Sequence, residues 1–235
     1  MRTFPRGVVV LSMLVIHGSY ACTDESSGPP PGSPDSPPDS PPDSPPDNVP
    51  LDAPPDEPIA VEIVTANGSG CPAGTTVEVK PDNTAFTVTF SDYVARAGAG
   101  SAPTDFRKNC QLNLRVQVPD GFSYSLTEAD YRGFASLADG ASAAQRAHYF
   151  FQGQSQTLDL SHMFTGPLAD DWQTMDRTAG QLVSPCGVQR NLNIDTELIV
   201  TGGSADPATT SSWIAMDAAH GSVQSVFSLG WRRCP

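Results

Sequence analysis

Five cysteines carry the most definite chemistry in this chain, and Cys22 stands apart from the other four. It closes a leader made of Arg2 and Arg6, the apolar run Gly7–Ile16, and then His17-Gly18-Ser19-Tyr20-Ala21-Cys22. A charged start, a short apolar stretch and small residues before a cut are the marks of an export signal over residues 1–21. A run of about ten apolar residues is too short to span a bilayer. A cysteine just behind the cut is the acylation site of bacterial lipoproteins, and Ser19 and Ala21 supply the small residues that site wants. Tyr20 and the lack of Leu at the third position before Cys22 depart from the lipoprotein pattern. Ordinary cleavage after Ala21, with simple secretion, is the alternative. Setting Cys22 aside leaves an even set of four cysteines, and a free terminal thiol is reactive in an oxidising compartment. The sequence therefore predicts an acyl anchor at Cys22 that ties the protein to a membrane. Each buried methylene of such an anchor contributes about 0.8 kcal/mol. Thr23, rather than Asp, follows it, which resembles outer-membrane lipoproteins and predicts a cell-surface location.

Cys71, Cys110, Cys186 and Cys234 admit two chemistries. Zinc sites favour Cys-x-x-Cys pairs or a nearby His, and neither occurs here. In an exported chain two disulfides are expected instead. Four cysteines allow three pairings. The expectation adopted is Cys71–Cys110 with Cys186–Cys234, because sequence neighbours enclose the smaller loops.

The remaining reactive side chains form no recognisable catalytic set. Past the leader the histidines are His148, His162 and His220. Ser161-His162 and Asp159 lie close in sequence, but neighbours on a strand point to opposite faces. Neither a Gly-x-Ser-x-Gly elbow nor a His-Glu-x-x-His helix is present. Asp170, Asp171 and Asp176 do not follow EF-hand spacing and are read as a solvated acidic loop. No metal or cofactor is expected. Asp130-Tyr131-Arg132-Gly133 places an aromatic beside a guanidinium, and Arg107-Lys108 and Arg232-Arg233 flank cysteines. Tyr131, Arg132, Arg107, Arg190 and Trp231 are the candidates for a binding face of Arg and aromatic groups. The plainer reading is that these side chains brace strand ends around the disulfides, since arginine stems cover apolar surface.

Two regions must position these groups. Residues 22–58 are rich in Ser, Pro and Asp, with Ser36-Pro37-Pro38-Asp39 repeated at Ser40–Asp43 and Ser44–Asp47. Proline fixes φ and removes a donor. The segment reads as an extended disordered spacer, and at about 3.1 Å per residue it reaches on the order of 110 Å. It holds nine acids and no base, while Arg2 and Arg6 belong to the leader. Of 13 bases and 26 acids in the whole chain, residues 59–235 therefore keep 11 and 17, a net charge of −6. That balance lacks the basic footprint that nucleic acid requires.

Residues 59–235 alternate polar and apolar with period two. Phe86, Val88 and Phe90 alternate with Thr; Leu112 to Val118 with Asn, Arg and Gln; Leu192 to Val200 with Asn, Asp and Glu. Further strands are expected at Ile59–Thr65, Thr76–Lys80, Phe122–Leu126, Asp130–Leu137, Ala144–Phe151, Thr157–Phe164, Ser212–Met216 and Val223–Trp231. Turn signals such as Pro119-Asp120-Gly121 separate them. The one candidate helix is short, Ser91–Ala97. Many short antiparallel strands over this length predict an all-β sandwich, jelly-roll or immunoglobulin-like.

Seven ordered motifs add to this reading: Gly68-Ser69-Gly70-Cys71-Pro72, Phe90-Ser91-Asp92-Tyr93, Arg107–Leu112, Asp130-Tyr131-Arg132-Gly133, Phe164–Leu168, Ser184-Pro185-Cys186-Gly187 with Arg190–Ile194, and Trp231–Cys234. Together they resemble the secreted family known as domain of unknown function 4360, over residues 61–234. The resemblance implies export and a β-rich four-cysteine domain, and no activity. The functional expectation is a tethered, stalked binding or structural module for a glycan or extracellular matrix. A secreted hydrolase, or an inhibitor or partner of another secreted protein, is the alternative.

Overall fold

The computed structural model describes residues 50–71, 74–216 and 225–235. The chain divides into Met1–Ser44 and Pro45–Pro235, and every described residue belongs to the second unit. Cys22, most of the spacer, His220 and Val223 lie outside the described residues. The described chain folds into strands with no helix: β1 (Ala60–Asn67), β2 (Thr76–Val79), β3 (Ala85–Thr89), β4 (Val94–Gly98), β5 (Arg107–Gln117), β6 (Phe122–Leu137), β7 (Ser142–Phe151), β8 (Thr157–Thr165), β9 (Leu168–Val183), β10 (Leu192–Thr201), β11 (Ser211–Ala215) and β12 (Ser225–Arg233).

They form two antiparallel sheets. The five-stranded sheet runs β1-β5-β10-β7-β8, and the seven-stranded sheet is built on β2, β3, β12, β6, β11 and β4, with β9 paired to β6. Ser125 and Asp130 each face both β12 and β9, so β9 takes one edge of β6. The other edge is shared in succession by β12 and β11. One core fills the space between the sheets, with Leu112, Leu114, Tyr149, Ile194 and Leu198 from the first and Phe86, Tyr124, Tyr131, Phe227 and Trp231 from the second. Removal of these apolar surfaces from water is the main drive for the fold.

Four expectations need correction. First, the helix at Ser91–Ala97 does not form. Val94–Gly98 is β4, paired with β11, and burial of Tyr93 and Ala95 overrides the helix-start signal of Ser91 and Asp92. Second, Phe122–Leu126 and Asp130–Leu137 are one strand. A bulge at Thr127 shifts the register against β12 and β9, so Tyr124 and Leu126 before it and Ala129 and Tyr131 after it all face the core. Third, the expected acidic loop at Asp170–Asp176 lies within strand β9, and Asp176 is 1% exposed.

Fourth, packing begins ahead of residue 59. Asp52 bridges to Trp231, its backbone N–H donating to the Trp231 carbonyl at 2.8 Å, and its carboxylate accepts from the Arg233 N–H at 2.7 Å. Asn83 holds the rest of this segment. Its amide donates to the carbonyls of Pro55 (2.8 Å) and Glu57 (2.9 Å), and its side-chain oxygen accepts from the Ile59 N–H. Asn83 sits at φ 57°, a left-handed conformation that Asn tolerates better than most residues.

Both disulfides have the expected pairing. Cys71–Cys110 ties the chain after β1 to β5, and Cys186–Cys234 ties the chain after β9 to the C-terminus. Close approach explains two motif glycines. A Cβ on Gly70 would fall 2.2 Å from the Tyr93 ring, and one on Gly133 would fall 1.9 Å from the Ala215 carbonyl oxygen.

Candidate functional site

The five residues singled out as a binding face are dispersed. Tyr131 and Trp231 are core residues, 0% and 1% exposed. Arg132 follows Tyr131 on β6, so period-two geometry sends it to the opposite face, where it pairs with Asp130 at 2.9 Å. Arg107 lies on the outer face of the five-stranded sheet, paired with Glu197. Arg190 lies between β9 and β10, beside a pocket of about 240 Å³ that Val116, Tyr124 and Ser184 also line. The Trp231 indole N–H donates to the Asn83 carbonyl at 2.8 Å. Beside the second disulfide, the Arg233 guanidinium lies 5.2 Å from the centre of the Phe122 ring.

Two other polar arrangements emerge. One is interior. On β8, His162 points inward while Ser161 is exposed. His162 Nε2 lies 2.6 Å from Asp176 Oδ1, the Tyr149 hydroxyl donates to Asp176 Oδ2 at 2.5 Å, and the Tyr131 and Tyr149 hydroxyls lie 2.7 Å apart. Burial pushes both phenols well above their ordinary pKa, so they remain protonated. The chain links β8 and β7 of one sheet with β9 and β6 of the other. A fully buried carboxylate is tolerated only with such partners, and the chain's place at the seam between β8 and β9 gives it a structural task.

The second arrangement covers the outer face of the five-stranded sheet. Strand register sets its side chains in lateral rows. Asn67, Gln111, Asp195, His148 and Asp159 lie opposite one another in turn across all five strands. The next row is Thr65, Asn113, Asn193, Phe150 and Thr157, and on the other side stand Asn109, Glu197, Arg146 and Ser161. Rows two residues apart are spaced roughly 7 Å and strands roughly 4.8 Å. Two shallow grooves, of about 420 and 280 Å³, meet at Gln111 and Asp195.

Most groups on this face are tied in place. Glu197 is held by Arg107 and by Arg146, the latter at 3.5 Å. His148 Nδ1 lies 2.7 Å from Asp159. Asn113 donates to Asn193 at 2.7 Å and accepts from Asn191 at 2.6 Å. Asp195, at the centre, makes no side-chain hydrogen bond or ion pair among the described residues. Burial raises its pKa above the ordinary carboxylate value, and the His148 field opposes that shift only in part. The His148 and Phe150 rings, 5.1 Å apart, add an apolar step beside it. Among the described residues no group of three or more His, Cys, Asp or Glu is placed to hold a metal ion.

Sequence reasoning missed this surface because it weighed the apolar half of each alternation. The signal was present in the polar half: Asn109, Gln111 and Asn113 on β5, and Asn193, Asp195 and Glu197 on β10.

Residues 57–234 match the family described as a domain of unknown function (DUF4360). An uncharacterized secreted protein of Arthroderma benhamiae is 34% identical over 174 residues, covering 73% of this chain and 70% of that protein. The chain belongs to this family and is an exported all-β protein. Solved structures offer only faint likenesses. The enzymatically active domain of bacteriophage CBA120 tailspike protein 4 aligns with TM-score 0.23 and 7% identity, over 75% of this chain and 19% of that one. The infectious bursal disease virus Gx strain structure aligns with TM-score 0.24 and 10% identity, over 77% and 38%. Likeness at these scores carries no functional argument.

Proposed function

We propose that this protein is an exported glycan-binding module that uses the outer face of its five-stranded sheet. Its Cys22 is acylated, and the proline-rich spacer holds the sandwich away from the membrane. The observation that carries the binding reading is the set of cross-strand rows centred on Gln111, Asp195 and His148. Planar amide, carboxylate, imidazole and guanidinium groups stand in a lattice fixed by backbone pairing. Such groups donate and accept in directions that suit vicinal hydroxyls, and many are already immobilised by one another. Immobilised groups lose less entropy on binding. The His148–Phe150 step supports the C–H face of a sugar ring. The site is open and shallow, which suits a polymer better than a small enclosed ligand.

The test is binding of the full mature chain to a panel of immobilised polysaccharides. Retention on at least one, abolished by Asn193→Ala together with Gln111→Ala and unchanged by Arg132→Ala on the other sheet, is expected. Retention that depends on Arg132 or Gln173 and ignores the double substitution contradicts the assignment. For the anchor, mass spectrometry of the mature N-terminus is expected to find an acylated Cys22, and an unmodified terminus refutes it.

A further inference from the structure

We infer that Asp195 receives the ammonium group of an amino sugar, so that the glycan taken by this face carries free amines. The inference rests on the glycan reading above and names its ligand class. Among the described residues, the guanidiniums of this face are already engaged: Arg107 and Arg146 both pair with Glu197, and Arg115 with Glu62. His148 Nδ1 lies against Asp159. Asp195 is the charged group of the face that lacks an ion pair among the described residues. It also stands where the two grooves meet, on the strand at the middle of the five.

A hydroxyl offers such a carboxylate one hydrogen bond and no charge. An ammonium offers charge-assisted hydrogen bonds and compensates the half-buried charge. Burial already disfavours the ionised form of Asp195, so a bound cation recovers more there than at an exposed acid. The neighbours are compatible. Gln111 flanks Asp195 on β5 and His148 flanks it on β7, and these take the ring hydroxyls beside the amine. The flanking guanidiniums of Arg107 and Arg146 share Glu197, and Asp159 in the same row as Asp195 adds a further negative charge against them. The acidic surplus of residues 59–235, −6 from 11 bases and 17 acids, attracts a cationic polymer at long range.

The test compares the full mature chain with its Asp195→Asn and Asp170→Asn variants. Each is titrated with glucosamine oligomers and with N-acetylglucosamine oligomers of the same length, at one ionic strength. Asp170 is an exposed acid on the other sheet and controls for bulk charge. The wild type is expected to favour the free-amine oligomer by about tenfold or more, the scale of one partly buried charge-assisted contact. Asp195→Asn is expected to remove that preference, while Asp170→Asn keeps it. Equal binding of both oligomers with Asp195→Asn silent overturns the inference and leaves the glycan reading standing. Equal loss in both variants reduces the effect to bulk charge and also overturns it. Binding of neither these oligomers nor any polysaccharide of the panel overturns both.

Discussion

Tyr149 on the five-stranded sheet donates a 2.5 Å hydrogen bond to Asp176, a buried carboxylate on the seven-stranded sheet. This contact sits at the edge where β8 and β9 would otherwise leave the sandwich open. It carries with it the Tyr131 hydroxyl on one side and His162 on the other. Apolar residues would close the same seam with less desolvation, so the arrangement depends on every member having its partner.

Removing one member should therefore be costly. Asp176→Ala is expected to destabilise the fold by about 3–5 kcal/mol, the range for one partner of a buried charged pair. Tyr149→Phe, which leaves Asp176 with one partner and Tyr131 with none, is expected to cost about 1–3 kcal/mol. Urea denaturation followed by tryptophan fluorescence measures both. Wild-type stability in Asp176→Ala would show that the chain contributes nothing.

The N-terminal clasp makes a second prediction. Asn83 satisfies Pro55, Glu57 and Ile59 and also accepts from Trp231. A chain that begins at residue 59 is expected to melt below one that begins at residue 50. Asn83→Ala in the longer chain is expected to cost about 1–3 kcal/mol through stranded backbone groups. Thermal unfolding of the three proteins decides it, and identical melting temperatures would mean that residues 50–58 do not hold to the domain in solution.

The disulfides make a third. Cys71–Cys110 and Cys186–Cys234 span 39 and 48 residues, and loops of this size are worth about 3–5 kcal/mol each in the chain-entropy model. Cys→Ser at both ends of either bridge is expected to lower stability by that order. Both pairs matter independently, so the two losses should add. Non-reducing peptide mapping is expected to recover both bridged peptides.

The limits of sequence reading are visible in particular strands. β5 and β10 were legible because their inward residues, Leu112 and Leu114 or Ile194 and Leu198, are apolar but for Thr196. β9 was not, because its buried positions Trp172, Thr174, Asp176 and Thr178 are mostly polar. A hydrophobic-alternation test passes over such a strand, and the partners that make it viable come from β6, β7 and β8. The Thr127 bulge split β6 for a similar reason: it inverts which parity faces inward. The candidate surface was hidden more deeply. Gln111, Asp195, His148 and Asp159 are scattered along the chain, and only strand register places them in one row.

Asp195 links stability to the site. Burial raises its pKa in the folded protein, so the folded state holds the proton more firmly than the unfolded chain does. The associated stability is present below the unfolded value, about 3.9, and is lost as pH rises through the folded value. Asp195→Asn removes that loss. The variant is expected to melt at or above the wild type at neutral pH, with the advantage vanishing near pH 3. A residue kept at a cost to stability is characteristic of a functional position. A lower melting temperature at neutral pH would instead give Asp195 a structural role.

Amino-sugar binding by the outer face is tested most directly by a side-chain amide NMR titration of the full mature chain with glucosamine oligomers. The side-chain NH₂ signals of Asn67, Gln111, Asn113 and Asn193 report from the face itself, and Gln173 reports from the other sheet. Saturable shifts are expected at Gln111, Asn113 and Asn193, with Gln173 unmoved. Shifts confined to Gln189 beside the 240 Å³ pocket, or no shifts at saturating oligomer, would contradict it.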